Sequence, residues 1–205
     1  MFSFELQWRK NGKKCIAGID EAGRGPLAGP VVAAAVVLPD DFSLDEVNDS
    51  KKLTENMRDK LFREIKKYPD IQVGVGIVSE RVIDKINILQ ATKKAMKQAV
   101  QNLPKKPDHL LIDGLFLNNV TISQTKIIKG DSKSASIASA SIVAKVVRDE
   151  IMKVYETKIP GYNFAKHKGY GTKEHTQALA NKGISVIHRL SFAPVRETLQ
   201  KDSNG

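Results

Sequence analysis

The chain has 205 residues with 41% hydrophobic residues and one cysteine, which is enough for one domain with a core and excludes a fold built on intrachain disulfide bonds. Its 33 Lys and Arg against 23 Asp and Glu give a formal charge of +10, which favours a polyanion as partner. No apolar run approaches the ~20 residues of a membrane helix, so we expect a soluble, cytoplasmic protein that binds no membrane.

The first elements are predicted to be strands and one helix. Apolar residues at 16–20 and 31–38 and the alternating segment 71–78 are typical of strands, and the short connection between the first two favours antiparallel pairing. Thr54 is a candidate N-cap for a helix over 55–67. The inner face of that helix is expected to carry Met57, Leu61, Phe62 and Ile65.

The second half continues with helices and short strands. A helix is predicted over 89–101, followed by strands at 110–112 and 125–129. A long helix is expected over 134–158, and the small residues of its first half permit close packing against a sheet. A further helix is predicted near 173–181. This order suits a three-layer α/β/α domain with a mixed sheet at 1–160 and a small helical C-terminal extension at 161–205 packed on it.

Two adjacent carboxylates stand where the first predicted strand runs into a glycine-rich turn. Neighbouring strand residues point to opposite faces, so Asp20 and Glu21 can share one site only if the pleat ends there. Gly23 and Gly25 would permit that break and would let a ligand approach the backbone closely. The pattern predicts a metal site, and the alternative is an ordinary strand end with a solvated turn.

The turn Asp20-Glu21-Ala22-Gly23-Arg24-Gly25-Pro26 resembles the signature of ribonuclease HII. Further segments resemble that family in the same order, at 48–53, 111–114, 129–132, 144–149, 167–172 and 187–196. Arg24 between the two glycines disfavours the related ribonuclease HIII type. The resemblance covers most of the chain from about residue 18 to 196 and implies the ribonuclease H-like fold.

The resemblance implies that Asp20, Glu21, Asp113 and Asp131 are catalytic residues and metal ligands. Carboxylates this close repel one another unless cations bind, and oxygen-only ligands favour Mg²⁺ or Mn²⁺ over zinc. Asp20 is expected to bridge two ions, with Glu21 and Asp113 as outer ligands and Asp131 nearest the attacking water. On the residues alone, Asp113 could instead form an Asp-Gly turn and Asp131 could stabilise a helix N-terminus.

The turn Gly23-Arg24-Gly25 and Tyr170 are the substrate-binding residues that the resemblance implies, because the family recognises a ribonucleotide followed by DNA with such a turn and a tyrosine. Arg24 could instead hold a carboxylate, and Tyr170 could be a packing residue. Lys51 is a candidate phosphate contact or simply a solvated loop residue. Other lysines expected where they could face phosphates are Lys52, Lys133, Lys166, Lys168 and Lys173.

The leading hypothesis is a metal-dependent endoribonuclease that hydrolyses the RNA strand of RNA–DNA hybrids and cuts 5′ to a ribonucleotide embedded in duplex DNA. It would work as a monomer and leave 3′-hydroxyl and 5′-phosphate ends. A junction resolvase on the same fold is one rival, but it would not need a ribose-reading turn. A non-catalytic nucleic-acid-binding domain is another, but it would leave carboxylates near phosphate unexplained.

Overall fold

The computed structural model describes residues 1–42 and 54–202, and within them a five-stranded mixed sheet forms the centre in the order β3-β2-β1-β4-β5. The strands are β1 Ile16–Ala22, β2 Val31–Val37, β3 Gln72–Val78, β4 His109–Asp113 and β5 Ser123–Ile127. β1, β2 and β3 pair antiparallel, as the short first connection predicts. β4 pairs parallel with both β1 and β5, so the carboxyl ends of these three strands meet at one edge.

Helices cover both faces of the sheet. They are α1 Ser3–Lys10, α2 Glu55–Lys67, α3 Glu80–Gln101, α4 Ala135–Lys158, α5 Phe164–His167, α6 Lys173–Lys182 and α7 Ala193–Asp202. The apolar residues of α3 form one core with the sheet, and those of α2 and α4 form a second core on the opposite face. The predicted three-layer α/β/α arrangement is therefore confirmed. No helix in the described ranges is long and apolar enough to cross a membrane.

The small residues at the start of α4 allow this helix to lie directly on β1. A Cβ atom at Gly18 would overlap the backbone of Ser136 and Ile137. Glycine in the strand and small residues in the helix are therefore both required, as the sequence pattern predicts. This close approach brings α4 beside the end of β1, where the candidate site lies.

Two helix starts are capped by side chains, and only the cap at Thr54 was predicted. The Thr54 hydroxyl accepts from the Met57 N–H at 3.3 Å, and the Ser134 hydroxyl accepts from the Ile137 N–H at 3.2 Å. The prediction for Met57 is wrong, because its side chain is exposed rather than on the inner face of α2. Leu61 is buried there as expected.

Several elements differ from the sequence prediction. α3 begins before the predicted residue 89 and contains a break at Asn87, where φ is 64° and ψ is 164°. β5 lies two residues earlier than predicted, at Ser123–Ile127. α1 was missed because its sequence is mixed, and it is held by a buried carboxylate: Glu5 Oε1 accepts from the hydroxyls of Ser134 and Ser136 at 2.6 and 2.7 Å. α7 was also missed.

Candidate active site

β1 does not end at Asp20, so the predicted break in the pleat is wrong. The strand continues to Ala22, and Asp20 and Glu21 pair with Ala34 and Ala33 of β2. Ladder pairing with β2 overrides the turn signal of the glycines. Asp20 is buried, its Oδ1 accepts from the Glu21 N–H at 2.7 Å, and its carboxylate forms a hydrogen bond with the Ser141 side chain of α4.

A cavity of about 380 Å³ lies at the end of β1. The predicted site residues that line it are Glu21, Gly23, Arg24, Gly25, Asp131 and Tyr170. Its other walls are residues that the sequence analysis did not select, Ala22, Arg58, Ser141, Ile142 and Lys145. A stretch of small residues is the sequence signal that could have pointed to Ser141, because such residues let α4 approach β1.

The remaining predicted carboxylates lie at the same edge of the sheet. Asp113 ends β4, and its Oδ1 accepts from the Gly130 N–H at 2.6 Å. Asp131 follows in a short 3-10 turn and is largely buried. Because β4 runs parallel to β1, Asp113 comes close enough to raise the pKa of both Asp20 and Glu21. Within residues 1–42 and 54–202, however, no three acidic, His or Cys side chains are already arranged around one ion position.

Burial makes Asp20 and Glu21 difficult to ionise. It raises the pKa of Asp20 well above the usual range, and the charges of Glu21 and Asp113 raise it further. Burial also raises the pKa of Glu21, against the hydrogen bond and charge of Arg24. Glu21 Oε2 is buried and has no hydrogen-bond partner in the part of the chain that the structure describes. An oxygen-only donor set with an open acceptor fits a hard divalent cation.

Arg24 contacts a carboxylate. Its Nη1 lies 3.1 Å from Glu21 Oε1, and its side chain is 46% exposed. This is the alternative role that its planar guanidinium allowed. A half-exposed ion pair of this kind contributes little to stability, so the guanidinium remains able to exchange Glu21 for another anion.

Tyr170 lines the cavity beside the glycine turn. Its side chain is 44% exposed, which does not fit the packing alternative. A Cβ at Gly25 would meet the tyrosine ring at 3.7 Å, so ring and turn are in near contact. The guanidinium carbon of Arg148 lies 6.0 Å from the ring centroid.

Two buried arginines that the sequence analysis did not assign hold the turn. Arg189 donates to the carbonyls of Gly23, Arg24, Gly29 and Pro30 at 2.6 to 3.2 Å. Its side chain is fully buried, and burial together with the charge of Arg148 lowers its pKa.

Arg148 of α4 approaches the same turn from the other side. It donates to the carbonyls of Pro30 and Ala28 at 3.0 and 3.2 Å, and to that of Lys168 at 3.0 Å. A Cβ at Gly23 would overlap the Arg148 side chain, and Gly23 has φ 97°, so glycine is needed there for two reasons. The guanidinium of Arg148 thus bonds both to the turn and to the segment just before Tyr170.

The predicted lysines differ in outcome. Lys51 and Lys52 lie outside the described residues, so the phosphate contact of Lys51 stays a prediction. Lys168 is buried, and its Nζ donates to the Ala165 carbonyl at 2.5 Å, so it does not face a phosphate. Lys166 pairs with Glu174 at 3.0 Å.

The surface lysine that lines the cavity is Lys145. It pairs with Asp149 one helical turn later, at 2.6 Å, as the i,i+4 spacing predicts. This ion pair leaves Lys145 at the cavity wall, near the end of β1 that carries Asp20 and Glu21.

Comparison with known proteins decides the family. The model of the family named Ribonuclease HII matches residues 17–195. The chain belongs to the ribonuclease HII family. Ribonuclease HII of Acetivibrio thermocellus is 59% identical over 192 residues, which are 94% of this chain and 75% of that protein. As a ribonuclease HII family member, the chain is an enzyme of the nuclease hydrolase class.

Solved structures agree with this fold. Ribonuclease H2 from Pyrococcus horikoshii superposes with a TM-score of 0.76 at 25% identity, covering 93% of this chain and 100% of that one. Bst ribonuclease HIII, solved in complex with Mn²⁺, gives a TM-score of 0.69 at 18% identity and covers 94% of this chain and 71% of that one. The second likeness concerns the fold alone.

We expect Arg189→Lys to destabilise this ribonuclease HII family member strongly. A lysine ammonium cannot donate to four carbonyls in the geometry of the guanidinium, and the carbonyls it abandons stay buried. The free energy of unfolding in urea should fall by about 3 kcal/mol. Arg81→Lys on the exposed face of α3 is the matched control, with a change within about 0.5 kcal/mol. Equal urea midpoints for Arg189→Lys and Arg81→Lys would contradict the role of Arg189 in holding the turn.

We expect Asp20→Asn to stabilise the protein in a chelator at neutral pH. The pKa of Asp20 is raised in the folded state, so wild type loses stability as the pH rises from about 4, where the unfolded carboxyl ionises. Asparagine cannot ionise, so the gain should be present at neutral pH and disappear near pH 4. Thermal melting across this range measures it. Asp70→Asn at an exposed carboxylate should show no such dependence.

Proposed function

We propose that this chain hydrolyses the RNA strand of RNA–DNA hybrids and also cuts 5′ to single ribonucleotides embedded in duplex DNA. The observation that carries the proposal is the one cavity shared by Glu21, Asp131, the turn at 23–25 and Tyr170. It joins groups suited to phosphodiester hydrolysis with groups suited to reading a sugar. The formal charge of +10 supports a nucleic acid as substrate.

Asp20, Glu21, Asp113 and Asp131 are the residues that would hold divalent cations, Mg²⁺ or Mn²⁺. Their buried oxygens and the raised pKa of Asp20 support this assignment, as does the Mn²⁺ complex of a ribonuclease HIII with the same fold. Two such cations would activate a water and stabilise the leaving oxygen of an in-line displacement at phosphorus. Asp20 would be the central ligand, Glu21 and Asp113 would flank it, and Asp131 would be the ligand closest to the attacking water.

The chain's own groups orient the substrate. The carbonyls of the turn are occupied by Arg148 and Arg189, so the backbone of Gly23, Arg24 and Gly25 is held in one conformation beside the carboxylates. A rigid backbone offers donors and acceptors at set positions to a ribose 2′-hydroxyl. Water adds to phosphorus and the bond from phosphorus to the 3′-oxygen breaks, which leaves a 3′-hydroxyl and a 5′-phosphate.

Tyr170 is assigned the nucleotide that follows the ribonucleotide. Its exposed ring stands beside Gly25 and can press on the next sugar, where a 2′-hydroxyl would not fit. Such a contact favours DNA at that position. A junction resolvase would have no use for it.

The enzyme is proposed to act as a monomer with its C-terminal extension, residues 161–205, packed on the catalytic part at 1–160. Tyr162 and Phe164 share a buried cluster with Ala28 and Met152 of the main body, which supports one cooperative unit. The extension contributes Tyr170 and Arg189 to the site, so the catalytic part would be incomplete without it.

The test uses duplexes of one sequence that differ only in a single ribonucleotide, with Mg²⁺ or Mn²⁺ and mapped product ends. Wild type should cut only the duplex that contains the ribonucleotide, on its 5′ side. Asp20→Asn should abolish cutting but bind the duplex equally or more tightly, because it removes negative charge near phosphate. Asp70→Asn is the control and should keep wild-type rates. Cutting of all-DNA duplex by wild type would favour the resolvase, and activity of Asp20→Asn would remove the carboxylate assignment.

Tyr170→Ala should slow cutting at a single ribonucleotide more than cutting within an all-RNA strand of a hybrid. Loss of an aromatic contact is worth about 1–3 kcal/mol per base, or at least fivefold in kcat/KM. Tyr170→Phe keeps the ring and should retain the selectivity. Initial rates on both substrates measure the ratio. An equal fall on both would show that the ring does not read the following sugar.

A further inference from the structure

A pair of buried histidines lies behind Tyr170. His175 of α6 and His188 are at most 2% exposed, and their Nε2 atoms are 3.0 Å apart. His188 sits beside Arg189, and it forms a β-bridge with Ala28 of the turn that leads into β2. His175 Nδ1 lies 2.9 Å from the carbonyl oxygen of Tyr170. The pair therefore connects the segment that carries Arg189 to Tyr170 at the cavity.

The two ends of this connection determine its direction. At one end the Ser185 backbone N–H must donate, and it reaches His188 Nδ1 at 2.9 Å, so the proton of neutral His188 is on Nε2. That proton points at His175 Nε2, which must then accept. His175 consequently carries its proton on Nδ1 and donates to the Tyr170 carbonyl, which can only accept. Both end conditions lead to the same pair of tautomers.

The arrangement suits neutral rings. A proton added to His175 Nε2 would face the His188 N–H, and one added to His188 Nδ1 would face the Ser185 N–H, with the Ser185 hydroxyl as the only acceptor that these contacts offer it, 2.8 Å from the same nitrogen. Burial lowers the pKa of both rings, that of His188 to about 4, in agreement with the geometry. A third ring, that of His167, stacks on His175 with the ring centroids 4.5 Å apart. His167 Nδ1 accepts from the Gly169 N–H, and its Nε2 bonds to the Tyr162 carbonyl.

Tyr170 receives backbone restraints from this cluster on both sides. Its N–H donates to the His167 carbonyl at 2.9 Å, and its carbonyl accepts from His175 and from the Thr172 N–H, the latter at 2.8 Å. The ring is half exposed, and these backbone hydrogen bonds hold the point from which its side chain extends into the cavity. We propose that His175 and His188 are positioning residues that set the distance between Tyr170 and the Gly23–Gly25 turn through this single-direction hydrogen-bond relay. The proposal rests on the proposed role of Tyr170.

The test compares two amide replacements of one ring. His175→Gln places an acceptor near Nε2 but no donor near Nδ1, whereas His175→Asn keeps a donor near Nδ1. We expect His175→Gln to lower the ratio of kcat/KM at a single ribonucleotide to that on an all-RNA hybrid strand by about tenfold, the effect of one buried hydrogen bond. His175→Asn should recover most of this ratio. Gln177→Ala on the exposed face of α6 is the control and should leave it unchanged.

A double-mutant cycle separates positioning from general destabilisation. In a Tyr170→Ala background, His175→Gln should change the ratio no further, because the ring it positions is gone. Fully additive losses in the cycle would overturn the relay. Thermal melting of each variant gives the loss of stability, which a merely structural role would produce without a change in selectivity.

Imidazole ¹⁵N spectra of the wild-type protein test the relay without any mutation. At neutral pH they should show His175 protonated at Nδ1 and His188 at Nε2. His175 protonated at Nε2, or either ring titrating near its ordinary pKa, would overturn the proposal. Wild type that cuts all-DNA and ribonucleotide duplexes alike would overturn the proposed function instead, and the spectra distinguish the two failures.

Discussion

The buried guanidinium groups of Arg148 and Arg189 are the interaction on which the site depends. Most of the turn between β1 and β2 is buried, although Arg24 and Gly25 are exposed, so most of its carbonyl groups need partners within the protein. Two planar groups with five fixed donors each bond to these carbonyls, and both reach that of Pro30. Because Gly23 alone leaves room for Arg148, the glycine of the signature and the arginine of α4 are parts of one packing solution.

This clamp also explains why distant parts of the chain meet in one cavity. Arg189 bonds to Arg24 across 165 residues, and Arg148 bonds to Lys168 just before Tyr170. Buried hydrogen bonds therefore join the strand end, the helix α4 and the C-terminal segment. The proposed reading of a ribose would depend on such restraint, since a hydroxyl group can be distinguished only by donors and acceptors that do not adjust to its absence.

The electrostatics of the site oppose those of the whole molecule. A chain with a formal charge of +10 attracts polyanions, yet Glu21 in its cavity and the adjacent Asp20 are carboxylates that burial and neighbouring negative charge keep hard to ionise. Arg24 compensates Glu21 only in part, because its guanidinium is half exposed. Positive surroundings bring a nucleic acid to the protein, whereas the negative centre would repel its phosphates unless cations lie between them.

Local sequence determined much of this protein. The caps of α2 and α4, the small-residue face of α4, the strands and the order of the signature carboxylates are all readable from neighbouring residues, because propensity, capping and periodicity act over a few positions. Tertiary structure decided the rest. Pairing with β2 extends β1 beyond Asp20. The contact of Glu5 with the start of α4 stabilises α1. Lys168 is buried, and its ammonium donates to a neighbouring carbonyl.

The least predictable groups were Arg148, Arg189 and the pair of histidines. The arginines donate to backbone carbonyls that are more than a hundred residues away, and the histidines bond to each other inside a core. No local sequence pattern predicts such partners. The sequence by itself therefore named the groups that are proposed to face the substrate. Only the folded chain showed which groups hold them in place, because a buried hydrogen bond is decided by which atoms lose water together.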